Sequence, residues 1–301
     1  MRLIILRPAL VFLLLILLPV TARSQELDPG AYWALPKGLN VVTTVAGFSF
    51  GDVSFEPSLP VEEASARIGQ GVFVFTRALD FAGRSSNIAV QVPIVKGHLE
   101  GILLGVRQEA SRLGLADPRI RLAVNLYGAP SMTPQEFVKY RLHTVIGASV
   151  TVVPPLGTYD DNRLINVGAN RWAAKPELGL SRAFGPWVFD TMFGVWLFTD
   201  NDNYYGNVTK SQDPIYSTQF HLTYRFRQNL WLAGDANFYA GGRTAIDGDQ
   251  NEDNFKNSRV GATFSAGISR RSAFRASLSF GAFTRIGGDF VSAAFGYNYA
   301  W

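Results

Sequence analysis

Three histidines, His98, His143 and His221, are the first residues to which catalysis would be assigned, because imidazole changes charge near neutral pH. Thr144 follows His143, and Thr223 stands two beyond His221. A barrel lipid hydrolase needs a serine that such a base can activate, and no serine occupies these positions. We therefore assign no catalytic residue and expect a non-enzyme, with a lipid hydrolase as the remotest alternative. Acid pairs at Asp160 and Asp161, Asp200 and Asp202, and Asp247 and Asp249 have the hard oxygens that calcium favours. The string DGDQNED at 247–253 lacks the closing glutamate of an EF-hand, so these pairs read as solvated loops. No metal site and no cofactor is expected. The glycines of GGR at 241–243 and GG at 287–288 are turn residues, since no helix follows to complete a phosphate cradle.

The more informative set is Lys175, Glu177, Asp190, His221, Arg225, Asp235, Arg259 and Arg275. Each belongs to a segment whose residues alternate between apolar and polar, and each falls on the polar parity. In a strand that parity is one face. The residues either brace an enclosed interior with ion pairs or form a constriction that selects solutes by charge.

The segments that would position them recur at about ten residues, the length a tilted membrane strand needs. They are 39–50, 70–79, 86–95, a weaker 98–107, 119–127, 141–153, 171–181, 187–199, 215–226, 230–241, 259–269, 272–283 and 291–301. In the nine from 119 onward, no position on the apolar parity carries Asp, Glu, Lys or Arg. A soluble sandwich also keeps charge off its core face. Lipid is favoured by the aromatics that gather at one end of the uncharged face: Trp187, Phe189, Tyr224, Phe226, Phe274, Tyr299 and Trp301. These form an expected lipid-facing girdle. The opposite face is rich in Gly, Ser, Thr and Asn, where a solvated sandwich would carry Lys and Glu.

Connections alternate in length as well. Short ones at 183–186, 227–229 and 270–271 alternate with long polar ones at 154–170, 200–214 and 242–257. Outer-membrane barrels arrange periplasmic turns and extracellular loops in this way. The exception is RIGGD at 285–289, short on the long-loop side.

Residues 1–24 carry Arg2 and Arg7, an apolar run too short to span a bilayer, and Ala22 and Ser24 before Gln25. This is the pattern of a cleaved signal peptide, leaving 25–301 as one barrel. Removing it lowers the net charge from +4 to +1, because Arg2, Arg7 and Arg23 leave with it. No clustered basic face argues for nucleic acid. With no cysteine, the chain uses neither disulfides nor thiolate metal sites. Hydrophobic residues reach 47% and charged ones only 17%, yet no stretch beyond the leader is long enough for a helical span.

The expected fold is all-β: a transmembrane antiparallel barrel of about twelve strands, with 98–116 as an extracellular excursion. The first third alternates weakly, and its register stays open. The string TPQEF at 133–137 has a helix-start pattern, with Thr133 as N-cap and Glu136 three residues on.

Several strings carry a family likeness: GLADPRIRLAVNLYGAP at 114–130, NVGANRWAAKPELGLS at 166–181, SQDPIYSTQFHLTYRF at 211–226 and GGDFVSAAFGYNYAW at 287–301. In these the chain resembles the outer-membrane transporter family named for the MetA pathway of phenol degradation. The resemblance implies an outer-membrane barrel and uptake of small aromatic or hydrophobic compounds, and it brings no residue roles. The aromatic C-terminus resembles that of barrels whose last strand is read by the assembly machinery. Expected partners are thus outer-membrane lipid and lipopolysaccharide, that machinery, and a small-molecule solute. A structural or adhesive barrel, with loops that bind a partner, is the competing class.

Overall fold

Strands form wherever the period-two pattern runs, because alternation lets one face meet an apolar surrounding while the ladder satisfies every backbone group. The computed structural model describes residues 27–54, 61–227 and 229–301, so the expected leader lies outside the described residues. The wall begins with β1 (Asn40–Ser54), β2 (Val61–Phe81), β3 (Arg84–Leu103), β4 (Val106–Leu115) and β5 (Arg119–Tyr127). A short helix α1 (Pro134–Lys139) precedes β6 (Thr144–Val153), β7 (Ala173–Phe184) and β8 (Trp187–Phe198). After β9 (Asn201–Tyr204) and β10 (Val208–Gln212) come β11 (Ile215–Arg227) and β12 (Leu230–Gly241). The short β13 (Thr244–Ile246) and β14 (Asp249–Gln250) lead to β15 (Phe255–Gly267), β16 (Ser272–Thr284) and β17 (Gly287–Ala300).

Neighbouring strands pair antiparallel, and β1 closes on β17 in continuous register from Val41↔Ala300 to Ser54↔Gly287. The sheet has thirteen members, but β4 and β5 share one partner: β3 pairs with β5 through Ser86–Gln91 and with β4 through Ile94–Leu103. Counted as one interrupted strand, they make the closed barrel twelve-stranded. The interruption falls at Pro93, which has no N–H to donate. There the Ala116 N–H returns to the Pro93 carbonyl at 2.9 Å. Pro176 has a similar effect on β7, whose register with β8 passes from Ala174↔Leu197 directly to Glu177↔Gly194.

The sequence expectation for 98–116 needs correcting. This stretch is strand, not loop, an extension of the hairpins beyond the lipid: β2 and β3 stay paired out to Val61↔Leu103, and β4 doubles back along β3. Its glycines and charges hide the alternation, but the extended hairpins supply backbone partners throughout. The long connections at 200–214 and 242–257 also hold structure, since β9, β10, β13 and β14 form a separate four-stranded sheet across the long-loop end. Strand starts shift slightly: β6 begins at Thr144, β7 at Ala173 and β15 at Phe255.

The barrel wears its apolar residues outside. Leu178 is 59% exposed, Phe295 50% and Trp301 51%, and Phe48, Phe73, Ile94, Phe193 and Leu278 join the same outer face. Side chains this apolar and this exposed, encircling the whole barrel, belong in hydrocarbon. No described helix is long and apolar enough to cross a membrane. The apolar outer face of the closed barrel makes the strands the spanning elements. α1 carries the expected capping box. Glu136 N–H donates to Thr133 Oγ1 at 3.3 Å, and Thr133 N–H donates to Glu136 Oε2 at 2.8 Å.

Candidate functional site: an occupied lumen

The inner face is polar and almost entirely buried. Lys175, Glu177, Asp190, His221, Asp235 and Arg259 are all buried, with His221 only 1% exposed. They do not form one continuous ion-pair network. Lys175 Nζ meets Glu177 Oε2 at 2.6 Å, joined by Arg121 from β5 at 3.7 Å. Farther round the wall, His221 Nδ1 lies 2.6 Å from Asp235 Oδ1, and the Thr263 hydroxyl donates to Asp235 Oδ2 at 2.6 Å. Asp190 sits directly opposite His221 across the β8–β11 pair and accepts a hydrogen bond from the Ser181 hydroxyl. Arg275 stacks over Trp231 with its guanidinium carbon 5.2 Å from the ring centre, and Arg259 reaches the Phe290 carbonyl on β17. Arg225 stands apart: it donates to the Gly185 carbonyl in the β7–β8 turn at the rim. His143 is exposed just ahead of β6.

What separates the two charged groups is the chain's own N-terminal segment, ahead of β1. Tyr32 is 2% exposed and lies inside the barrel. Its hydroxyl sits 3.0 Å from Glu177 Oε1 and 2.9 Å from Ser149 Oγ, and Arg121 stacks on its ring at 5.0 Å. The Trp33 indole N–H donates to Asp190 Oδ1 at 3.2 Å, and its ring meets Trp231 edge-on at 5.9 Å. Space for Tyr32 comes from two glycines that face each other across the β6–β7 pair, Gly147 and Gly179. A Cβ on either would stand 2.1 Å from the tyrosine ring. The segment then leaves along the rim: Leu35 and Ser85 exchange hydrogen bonds, Lys37 N–H meets the Met132 carbonyl at 2.8 Å, and Gly38 N–H the Ala78 carbonyl at 3.0 Å.

Apolar packing seals this end. Tyr32, Ala34, Ala123, Met132, Val145 and Met192 form one buried cluster, against which Phe137 and Tyr140 of the α1 region pack. A second cluster lines the inside of the long-loop mouth: Ala66, Ile68, Val95 and Val167, with Val53, Leu99, Ala116 and Phe290 beside them. Asp117 pins the 154–172 connection over it by accepting from Gly157 N–H at 2.8 Å and Ala169 N–H at 2.7 Å. Beneath the loop sheet, burial pushes the Arg171 guanidinium down to about 10, against the opposing pull of Asp200. The mouth is thus greasy within and polar above, and the floor is closed by aromatic residues.

Sequence reasoning missed the segment entirely, because GAYWAL at 30–35 shows neither alternation nor a helical period. The usable signal was the pair of inward glycines, Gly147 and Gly179, on neighbouring segments of the polar face. The aromatic residues expected as a girdle lie together on the outer face. Trp187 and Tyr224 meet edge-on at 4.8 Å, Tyr224 and Phe226 at 4.9 Å, Phe274 stacks on Phe295 at 6.3 Å, and Tyr299 on Trp301 at 6.0 Å. Phe189 stacks with Phe220 at 6.3 Å, one turn of the pleat above Trp187.

Among solved structures, the chain is similar to the COG4313 outer membrane channel from Pseudomonas putida F1. The two share 19% identity over 92% of this chain and all of that one, with a TM-score of 0.78, a likeness of fold. The transport unit of the autotransporter AIDA-I from Escherichia coli gives a TM-score of 0.49 at 9% identity, covering 95% of this chain and 93% of that one. The KdgM porin gives 0.48 at 6%, covering 86% and 99%. No curated protein matches by sequence. The family model described as "Putative MetA-pathway of phenol degradation" matches residues 61–295, nearly the whole of the wall from β2 to β17, and the chain belongs to that family.

Proposed function

We propose that the protein is an outer-membrane channel for small hydrophobic or aromatic compounds, with its N-terminal segment as the gate. The observation that carries this reading is the occupied lumen: Tyr32 and Trp33 fill the interior of a closed barrel that carries an apolar lining at one mouth. An open porin for polar solutes has neither feature. The likeness to the COG4313 outer membrane channel and the phenol-degradation description of the family support the same reading. Residues 1–24 serve as the export leader, and cleavage before Gln25 leaves a short N-terminus that threads into the barrel. The girdle aromatics meet lipid at the periplasmic interface, the long loops face lipopolysaccharide, and the C-terminal strand is the part the assembly machinery reads. Lys175, Glu177, Asp190, His221, Asp235, Arg259 and Arg275 line the path once the segment moves, and Arg225 lines its periplasmic exit.

No catalytic role is assigned. His221 is held by Asp235, whose second oxygen accepts from Thr263, an arrangement that fits a structural pair. The adhesive reading retains one support, since the sheet of β9, β10, β13 and β14 is a rigid platform on the extracellular end. Vesicles that contain the purified barrel separate the two. A channel of this kind admits a small aromatic such as phenol faster than protein-free vesicles do, and admits sugars poorly. Equal uptake of both by empty and loaded vesicles, with the barrel intact, would favour the adhesive reading.

A further inference from the structure

At the end of the barrel where β1 starts and β17 stops, the outer face and its turns carry six exposed arginines, among outward aromatics that continue to Phe81 on β2 and Phe184 on β7. On β2 the outward sequence Phe73, Phe75 is followed on the same parity by Arg77. On β7, Leu178 and Leu180 are followed by Arg182. On β11 the bulge between Arg225 and Arg227 turns Arg227 opposite the outward Leu230 of β12. Arg84 pairs across the β2–β3 turn with the exposed Phe81, and Arg270 and Arg271 form the β15–β16 turn. All six are exposed.

Their surroundings hold little to neutralise them. Of the acids at this end, Asp80 lies 3.9 Å from Lys37, and Glu136 is engaged by Thr133. Among the described residues none of the six arginines has a carboxylate within ion-pair distance, and the one side-chain bond among them runs from Arg77 Nη1 to Asn40 Oδ1 at 3.1 Å. Six guanidinium forks on one rim repel one another unless anions lie between them.

Position says which anions. Arg77 and Arg182 lie on the lipid-facing parity, inside the exposed Phe81 and Phe184, and Arg182 pairs with Phe189 across β7 and β8, so both point sideways from the wall within the aromatic belt. Phe75 contacts Trp301 at 6.4 Å, which places Arg77 beside that aromatic belt. Aromatic belts sit among headgroups, and a planar guanidinium matches a phosphate with two parallel hydrogen bonds. An acidic protein docking from below would be met by the turn tips alone, with no use for the outward residues of β2 and β7.

We propose that this rim is a binding belt for anionic phospholipids, whose phosphodiester groups bridge neighbouring arginines and hold a shell of such lipid around the periplasmic end. The proposal rests on the membrane reading above but not on transport. The test is lipid retention by the detergent-extracted mature protein, read by native mass spectrometry with phosphatidylglycerol and phosphatidylethanolamine as the probes. The wild type should retain phosphatidylglycerol at about tenfold lower lipid concentration, a preference that shrinks in about 0.5 M salt. The Arg77→Gln, Arg182→Gln, Arg227→Gln triple variant should hold both lipids equally while keeping the heat-dependent gel migration of a folded barrel. The salt titration needs no variant, so a folding failure leaves the proposal testable. Equal retention of the two lipids by the wild type, or an undiminished preference in the folded variant, overturns it. A barrel that passes no solute yet prefers phosphatidylglycerol would refute the channel reading alone.

Discussion

The Tyr32 hydroxyl lies 3.0 Å from Glu177 Oε1, so a residue ahead of the first strand is tied to the middle of the wall, on β7. The bond is made inside the barrel, where a hydrogen bond to a charged group contributes about 1.5–3 kcal/mol. Tyr32→Phe removes it and keeps the ring. Amide exchange of residues 27–39 should accelerate about tenfold to a hundredfold, with the strands unchanged. Unchanged exchange in that segment would mean that the hydroxyl does not hold it.

Gly179 makes the complementary case, because its missing side chain is the space the tyrosine ring occupies. Gly179→Val leaves the outer face of β7 untouched and fills that space. The variant should fold as a barrel and release the segment, read as cleavage near residue 32 by a protease added to the detergent-solubilised protein. Continued protection would show that the ring finds another seat.

Leu178, its neighbour on the opposite face, should respond very differently. A lysine at a lipid-facing position near the midplane costs about 2–4 kcal/mol. Leu178→Lys should lower barrel stability in urea by that amount when refolded into vesicles. A change below about 0.5 kcal/mol would place this residue in water.

The His221–Asp235 pair predicts a structural phenotype. Removal of one partner from a buried pair destabilises by about 3–5 kcal/mol, since the other is left without compensation. Asp235→Ala should therefore lower the unfolding temperature sharply, and His221→Gln, which leaves Asp235 its Thr263 bond, less so.

At α1 the expectation concerns pH. Bonds from the Thr133 backbone N–H and hydroxyl hold the Glu136 carboxyl below its ordinary range. A depressed carboxylate stabilises above its unfolded value, about 4.3, and that contribution disappears as pH falls through the folded value. Amide protection of residues 134–139 should weaken on acidification in the wild type. Glu136→Gln should abolish that dependence.

Much of the wall was legible because lipid imposes one rule on every strand. Where the outer face meets hydrocarbon, as along the middle of the long strands from β5 to β17, apolar residues recur at every second position and each segment can be read alone. Strands β2 to β4 resisted because they rise beyond the lipid. There Arg67, Lys96, His98 and Glu100 occupy outward positions, and no solvent contrast separates the two faces. The loop sheet resisted for a similar reason, since strands of two to five residues are too short to display a period. The charges of the inner face could be assigned to it, but not their partners. Pairing in the lumen depends on strand stagger and on a segment with no period of its own. Tyr32 takes its place from the vacancy at Gly147 and Gly179, a complementarity between residues more than a hundred positions apart.

The most direct measurement is single-channel conductance of the mature protein in a planar bilayer, with and without residues 27–34. The intact chain should be nearly silent, opening only briefly. The shortened barrel, checked for heat-dependent gel migration, should give a steady conductance step. Equal currents from the two folded forms would contradict the claim that the N-terminal segment closes the lumen.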